Sequence, residues 1–219
     1  MFAPVVHPPE FLRHFFKSYV WKLTPENESQ KVLYITVDDG PIPEMTPGTL
    51  DLLKRFGAEA TFFCVGDNVK KYPEIFGRIL AEGHSVGNHT FNHLNGFKTK
   101  TGVYIENVEK ADLLVNSDLF RPPHGKLRPK QTSALSKGRK IILWDVLTKD
   151  YDKKVTKEEC WKNVENFAVS GSVIVFHDNL KAMENQRYAL EKTLEKFSES
   201  GYVFKKIPYK PLENKMLRK

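Results

Sequence analysis

The sequence predicts an α/β fold built on parallel strands: a distorted or incomplete (β/α) barrel with about seven strands, with a doubly wound sheet as the alternative. One observation is that short apolar runs alternate with segments of roughly 10 to 15 residues at helical spacing, as right-handed βαβ units require. A second is that polar clusters follow five of the apolar runs. In either fold the carboxyl ends of the strands share one face, so we expect these clusters to meet there.

The predicted strands are apolar runs that end in turn residues. The run at residues 32–37 is β-branched and unbroken, which is typical of a strand buried on both faces, and Asp38 and Asp39 follow it directly. A strand followed by an ordinary Asx turn would give the same local pattern. The other strands are predicted at residues 60–65, 84–88, 119–120, 140–146, 172–176 and 202–207.

The predicted helices lie between the strands and carry recognisable end signals. Thr46 is a candidate N-cap with Pro47 at the first helical position, and Gly57 follows the end of that helix. Thr156 is a candidate cap for a later helix. Helices are predicted at residues 46–55, 68–82, 104–115, 129–136, 157–168 and 185–198, with a further short one at residues 8–22.

The chain length suits one domain. It has 219 residues, of which 40% are hydrophobic, and its two cysteines are too few for a disulfide framework. We expect one catalytic domain at residues 31–208, an N-terminal extension at residues 1–30 that packs on it, and a basic tail at residues 209–219. We expect the protein to be a monomer.

Charge and hydropathy restrict the partners. The net charge of +7 comes from scattered lysines and a lysine-rich C-terminus, without a nucleic-acid-binding signature, so no nucleic acid is expected. The sequence has no run of about 18 apolar residues, so it predicts no membrane-spanning helix. Residues 1–23 lack the apolar core of a signal peptide, which predicts a cytoplasmic location; an extracellular or cell-envelope location stays open if a leader precedes the sequence.

Two imidazoles and a carboxylate predict a metal site. His89 and His93 are four residues apart, so they can converge on one cation if the first strand supplies a carboxylate as third ligand. Three protein ligands leave one position for water, which is the layout of a hydrolytic site. Such ligands favour Zn²⁺, although Co, Ni or Mn can use the same set. Thr90 stands where an HExxH protease has its glutamate, which argues against that class.

Five short motifs carry a resemblance to a known family. In order along the chain they are TVDDG, HTFNH, RPPHG, WDVLTKDYD and VFHD. Their order and spacing resemble those of the polysaccharide deacetylases, which are carbohydrate esterase family 4 with the NodB-homology domain. The resemblance covers about residues 32–207. It implies a metal-dependent hydrolase that removes N-acetyl groups from amino-sugar polymers or oligomers, such as peptidoglycan or chitin-like N-acetylglucosamine, and releases acetate.

The resemblance also implies a role for each matching residue. Asp38 resembles the general base and His177 the general acid, while Asp39, His89 and His93 look like the metal ligands. The physical requirements of amide hydrolysis agree, since the reaction needs an activated water, a proton acceptor and a protonated leaving nitrogen.

Supporting groups follow from the same motifs. Arg121 is similar to the arginine that orients the base, and Asp150 is similar to the aspartate that holds the acid histidine and would raise its pKa. The backbone N–H of His124 corresponds to an oxyanion donor. Pro122, Tyr151 and Val175 are the remaining predicted substrate-contacting residues, and Val175 stands where the family usually has leucine in the acetyl-methyl pocket.

Other interpretations of these residues remain open at this point. Arg121 and Asp150 could form an ion pair with each other, and His177 could be an ordinary histidine at a strand end. His124 replaces the family's usual Tyr or Phe, and Tyr151 its usual Trp, so the substrate could differ. The alternative functions are an amidase or deformylase acting on a non-sugar amide, a glycan-binding protein without catalysis, and a nucleic-acid-binding protein on charge alone.

Overall fold

The computed structural model describes residues 5–212, so residues 213–219 of the predicted basic tail lie outside the described part. Within it, helices and strands alternate as the sequence predicts. In chain order the elements are α1 (Glu10–Phe15), β1 (Tyr19–Val20), β2 (Val32–Asp38), α2 (Thr46–Arg55), β3 (Ala60–Cys64), α3 (Gly66–Lys71), α4 (Pro73–Ala81), β4 (Ser85–Asn88), α5 (Thr101–Val115), β5 (Leu119–Phe120), α6 (Pro129–Leu135), β6 (Lys140–Ile142), β7 (Val146–Leu147), α7 (Lys157–Phe167), β8 (Val173–His177), α8 (Met183–Glu199) and β9 (Val203–Phe204).

The strands form one curled parallel sheet in the order β1-β6-β5-β4-β3-β2-β8-β7, with β9 paired to the start of β2. Strand β2 lies near the middle, and all seven of its residues are buried. Helices flank the sheet, and their buried faces supply much of the core; α2, for example, buries Leu50 and Leu53 completely. Removing each such side chain from water contributes about 1.5–3 kcal/mol. The predicted incomplete (β/α) barrel is confirmed.

The predicted strand at residues 140–146 is wrong as a single strand. Its first part, β6, pairs with β5 and β1, whereas its last part, β7, pairs with β8 at the other margin of the sheet. The residues between them, 143–145, cross the gap between the two margins. Leu143 N–H donates to Val20 O at 2.8 Å on one side, and Asp145 N–H donates to Val173 O at 2.9 Å on the other. We call residues 143–145 the strap, because they close the curled sheet.

Three other local predictions need correction. The helix expected at residues 8–22 is only α1, and β1 follows it and joins the sheet edge. The helix expected at 68–82 is divided into α3 and α4, because Pro73 cannot donate the hydrogen bond that would continue the first helix. Thr46 is the first residue of α2 rather than its cap, and its hydroxyl accepts a hydrogen bond from Ile42 N–H at 2.8 Å. The predicted cap at Thr156 is confirmed, since its side chain accepts from Glu159 N–H.

The register of the sheet brings the five motifs to one face. Asp38 at the end of β2 is level with His177 at the end of β8 and with Phe63 on β3. Asn88 at the end of β4 is level with Phe120 at the end of β5. His89 and Arg121 therefore follow neighbouring strand ends, and the chemistry collects at the carboxyl edge, as expected. No helix within residues 5–212 combines the length and apolarity that a membrane crossing requires.

Candidate active site

Asp39, His89 and His93 converge as the sequence predicts. Asp39 Oδ1 lies 3.1 Å from His93 Nε2 and 3.6 Å from His89 Nε2. One ligand atom from each of the three residues lies within 4.8 Å of the others, which suits a single cation. These three residues can therefore hold a divalent metal.

The backbone places these three side chains by unusual turns rather than by a helix. Asp39 has φ 78° and His93 has φ 54°, both left-handed, and Thr90 between the histidines has φ 63°. Such conformations cost energy in residues other than glycine, so side chains must hold them. Asn88 Oδ1 accepts from Thr90 N–H at 2.7 Å, and Asn68 Nδ2 donates to Asp39 O at 2.8 Å. The HTFNH segment is thus a loop after β4 whose conformation is held by side-chain hydrogen bonds.

The protonation pattern around these residues fits a bound cation. His89 Nδ1–H donates to Arg121 O at 2.7 Å, which leaves the lone pair of Nε2 directed at Asp39 Oδ1. Asp39 Oδ1 itself is buried and accepts no well-formed hydrogen bond within residues 5–212. Burial raises the pKa of the Asp39 carboxyl, but hydrogen bonds from His89 and His93, when Nε2 of these rings carries a proton, and the charge of His177 outweigh it and hold that pKa well below its usual range. A cation would take the place of those two protons. A carboxylate oxygen and two imidazole nitrogens with free lone pairs form a set of ligands that can bind one metal ion.

Arg121 holds Asp38 in a buried ion pair. Its Nη1 donates to Asp38 Oδ1 at 2.6 Å and to Thr36 Oγ1 at 2.8 Å, and its Nη2 donates to Leu143 O at 2.9 Å. The guanidinium also stacks 4.1 Å from the ring of Phe63. Because Arg121 engages Oδ1, the other oxygen of Asp38 is left toward His89, whose Nε2 is 4.0 Å away.

His177 and Asp150 form the second pair. His177 Nδ1–H donates to Asp150 Oδ1 at 2.7 Å, and His177 N–H donates to Asp150 Oδ2 at 2.8 Å. Burial lowers the pKa of His177, but the carboxylates of Asp150, Asp39 and Asp38 outweigh it and raise that pKa to about 9. The open alternative of an ion pair between Arg121 and Asp150 is wrong, because Arg121 contacts Asp38 and Asp150 contacts His177.

Most of these groups border one cavity of about 810 Å³. Asp38, Asp39, His89, His93 and His177 lie on its lining, whereas Arg121 and Asp150 lie behind it. The predicted substrate-contacting residues also reach the cavity, namely Pro122, His124, Tyr151 and Val175. The Tyr151 ring packs edge-on against His177 with centroids 4.7 Å apart, and burial raises the pKa of its hydroxyl to about 12. The cavity thus has a charged floor and a partly apolar wall.

His124 presents its ring to the metal-ligand side of the cavity. Its φ of 61° is left-handed, and the adjacent Gly125 has φ 65°. The ring lies edge-on to that of His93 with centroids 4.9 Å apart. Burial and the nearby histidines lower the pKa of His124 to about 4, so its imidazole is neutral near pH 7. Such a ring can accept or donate one hydrogen bond at the cavity rim without adding a charge.

Sequence reasoning missed several residues at the site. Asn179 Nδ2 donates to Asp39 Oδ2 at 2.6 Å and so fixes the orientation of that carboxylate. Its position directly after the VFHD motif was the available signal. Trp144 and Leu147 form the apolar wall with Val175, and Lys126 and Lys181 also line the cavity. The sequence places Trp144 in a predicted strand and Leu147 in the segment after it, and it shows the lysines only as part of a scattered positive charge.

Comparisons with known proteins agree with the motifs. A profile of the polysaccharide deacetylase family matches residues 26–139. Two peptidoglycan-N-acetylglucosamine deacetylases of Bacillus cereus are each 34% identical to this chain; the alignments cover 84% and 85% of this chain and 69% and 90% of those proteins. The solved structure of the Bc1960 peptidoglycan N-acetylglucosamine deacetylase matches with a TM-score of 0.80 at 32% identity, over 87% of this chain and 91% of that one. The chain therefore belongs to the polysaccharide deacetylase family, carbohydrate esterase family 4, as its five motifs predict.

Proposed function

We propose that this protein is a metal-dependent hydrolase that removes N-acetyl groups from amino-sugar polymers or oligomers and releases acetate. The observation that carries the proposal is the arrangement of two polar pairs, Asp38 with Arg121 and His177 with Asp150, beside the convergent Asp39, His89 and His93. Family membership supports the reaction class, and relatives named for action on peptidoglycan N-acetylglucosamine support the substrate class.

Asp39, His89 and His93 would hold the divalent cation, with Zn²⁺ favoured by two imidazoles and one carboxylate. When bound, such an ion polarises the amide carbonyl and lowers the pKa of water from about 15.7 toward about 7. Asn179 and the Arg121 carbonyl orient two of the three ligands by hydrogen bonds of 2.6 and 2.7 Å. Ligands held in this way are pre-oriented and lose little freedom on binding an ion.

Asp38 is proposed as the general base. Its Oδ1 is occupied by Arg121, so Oδ2 is the oxygen that accepts the proton of the attacking water. The buried guanidinium of Arg121 pairs with this carboxylate and fixes its orientation. The water oxygen adds to the acetyl carbonyl carbon, and the backbone N–H of His124 is the proposed donor to the developing oxyanion.

His177 is proposed as the general acid. Because its Nδ1 is bonded to Asp150, its Nε2–H is the proton that faces the cavity. A pKa of about 9 keeps that proton in place at neutral pH. Transfer of this proton to the amide nitrogen lets the carbon–nitrogen bond break, so the products are acetate and a free amine on the sugar.

The apolar wall is the proposed site of the acetyl methyl group. Val175 is 1% exposed and packs with Trp144 and Leu147, and Tyr151 contacts the same cluster. Burying a methyl group against such a wall is worth about 0.8 kcal/mol, which favours acetyl over formyl amides. Pro122 lies on the same cavity and would contact the sugar.

A single substitution tests the proposal. Acetate release from N-acetylglucosamine oligomers and from peptidoglycan is measured for the wild type, for Asp38→Asn and for Asp51→Asn. Asp51 is an exposed carboxylate whose one ion pair within residues 5–212 is with Arg78, so it is the matched control. We expect loss of at least about a hundredfold in Asp38→Asn and none in the control. Full activity of Asp38→Asn would reject Asp38 as the base, and sugar binding without acetate release by the wild type would favour a non-catalytic glycan-binding protein.

The cytoplasmic location, the monomeric state and the domain boundaries at residues 31 and 208 stay predictions from the sequence. The proposed substrate is the class of N-acetylated amino-sugar glycans.

A further inference from the structure

The N-terminal segment, which we define as residues 5–22, contacts the strap at several separate residues. It lies before residue 26, where the match to the family profile begins. The strap crosses the gap in the sheet and contributes Trp144 to the cavity wall. The N-terminal segment and the strap both lie outside the residues 26–139 that the family profile matches.

Asp145 of the strap is the centre of these contacts. Its side chain is fully buried, and Arg13 forms an ion pair with its carboxylate. Lys22 Nζ lies 3.6 Å from Oδ2, and His7 Nδ1 lies 3.4 Å from Oδ1. Ser172 donates a hydrogen bond to the same carboxylate from the start of β8. A buried carboxylate needs such partners, and three of the four come from the N-terminal segment.

Three hydrogen bonds that end on backbone carbonyls hold the same segment against the strap and β7. Val5 O accepts from Trp144 Nε1–H at 3.0 Å, and Val6 O accepts from Leu147 N–H at 2.8 Å. His7 Nδ1–H donates to Asp145 O at 3.0 Å. The indole of Trp144 therefore has its only polar atom held by the N-terminal segment, which fixes the ring rotation.

The other side of the strap faces the proposed active site. Leu143 O accepts from Arg121 Nη2 at 2.9 Å, and Arg121 holds the proposed base Asp38. The Trp144 ring packs on Gly125, where a Cβ would lie only 2.6 Å from the ring, so the indole presses against the turn that carries His124. A displacement of the strap would move the apolar wall at Trp144, whereas Arg121 would keep its hydrogen bonds to Asp38 and Thr36.

We propose that the N-terminal segment is part of the substrate-binding apparatus, with Asp145 as a positioning residue that Arg13 anchors so that Trp144 forms the cavity wall. This inference rests on the proposed function, because the wall is read as the place where the acetylated sugar binds. Asp145 and Arg13 touch no reacting atom; they act through the strap. Their loss should therefore weaken substrate binding more than the chemical step.

The first test compares Arg13→Gln with Arg13→Lys and Lys17→Gln. Lys17 is an exposed cation of the same segment with no carboxylate within 4.0 Å in residues 5–212, so it is the matched control. With tetra-N-acetylchitotetraose as substrate, we expect Arg13→Gln to raise KM about fivefold or more while kcat changes less than about twofold. Arg13→Lys should recover most of this loss, and Lys17→Gln should behave as wild type.

The second test needs no turnover. Hydrogen–deuterium exchange of the Leu143 and Leu147 amides, which donate to Val20 and Val6, should accelerate at least about tenfold in Arg13→Gln and stay unchanged in Lys17→Gln. Faster exchange with an unchanged KM would show that Arg13 only stabilises the fold, and it would overturn the proposal. A fall in kcat that matches the fall in the amount of folded protein would overturn it as well. Wild-type turnover is measured first: its absence would overturn the proposed function and this inference together, whereas normal turnover with unaltered Arg13→Gln kinetics would overturn this inference alone.

Discussion

Replacing Asp150 with asparagine should move the alkaline limit of activity. Asp150 makes the largest of the contributions that raise the pKa of His177 from 6.5 to about 9, whereas burial lowers it. Asparagine keeps the size of the side chain but removes its charge. It has one oxygen, so it cannot accept both hydrogen bonds that Asp150 Oδ1 and Oδ2 accept from His177. Without that charge, only Asp39 and Asp38 oppose the lowering by burial, so the pKa of His177 should fall toward its ordinary value of 6.5.

The magnitude follows from the fraction of His177 that stays protonated. A pKa of about 9 leaves roughly 90% of the imidazole protonated at pH 8, whereas a pKa of about 6.5 leaves roughly 3%. Loss of the acid should therefore reduce kcat about 30-fold at pH 8 and about fourfold at pH 7. A cation on Asp39 offsets part of the raising effect of that carboxylate, but it leaves the direct bond from Asp150 in place.

The assay is the pH profile of kcat for acetate release by the wild type and Asp150→Asn between pH 5.5 and about 10. We expect the alkaline limb of the variant to lie at least about two units lower. Since Asp150 also accepts from the His177 amide, thermal unfolding of each sample confirms that the variant is folded. An unchanged alkaline limb in a folded variant would refute the assignment of His177 as the acid that Asp150 charges.

The same pair makes a stability prediction with a definite sign. The folded-state pKa of His177 is above the ordinary value of 6.5, so the stabilisation is complete below about pH 6.5 and is lost as the pH rises through about 9. The wild type should therefore lose free energy of unfolding across this window. Asp150→Asn should show a flatter dependence, measured by urea unfolding at several pH values.

The remaining predictions concern three other parts of the site. Arg121→Gln leaves Asp38 buried without its cation, so urea unfolding should show a loss of about 3–5 kcal/mol, and a loss below about 1 kcal/mol would contradict the buried ion pair. His124→Tyr should change KM but leave kcat within about twofold, because the proposed oxyanion donor is its backbone N–H; a large fall in kcat would assign a role to the imidazole. Lys126 and Lys181 line the cavity. Lys181→Met should therefore raise KM about fivefold for glycans that carry a carboxylate and change it little for neutral chitin oligomers. An equal effect on both substrates would argue against recognition of a negative charge.

The chemistry of the site was predictable because it lies in short local motifs at strand ends. Once β2, β3 and β4 are recognised as consecutive parallel strands of one sheet, Asp39 and the two histidines of HTFNH are expected at the same edge of that sheet, one strand apart. The same reasoning places His177 beside Asp38, since β8 pairs with β2.

The strap could not be predicted from the sequence for a physical reason. Residues 140–146 form a mostly apolar run, interrupted by Asp145, whether the chain stays on one strand or crosses between two margins of a curled sheet. Which of these occurs depends on partners far away in the chain, such as Val20 and Val173. The cationic partners of Asp145 are equally remote, so local patterns of charge do not reveal them.

The most direct test of the central claim is a metal titration followed by acetate release. Protein freed of metal by a chelator is titrated with Zn²⁺ while acetate release from N-acetylglucosamine oligomers is measured, with Asp39→Asn as the variant that lacks one ligand. The account predicts activity that rises to a plateau at about one equivalent of metal in the wild type and stays near background in Asp39→Asn. Acetate release that is independent of metal, or equal in the two proteins, would contradict it.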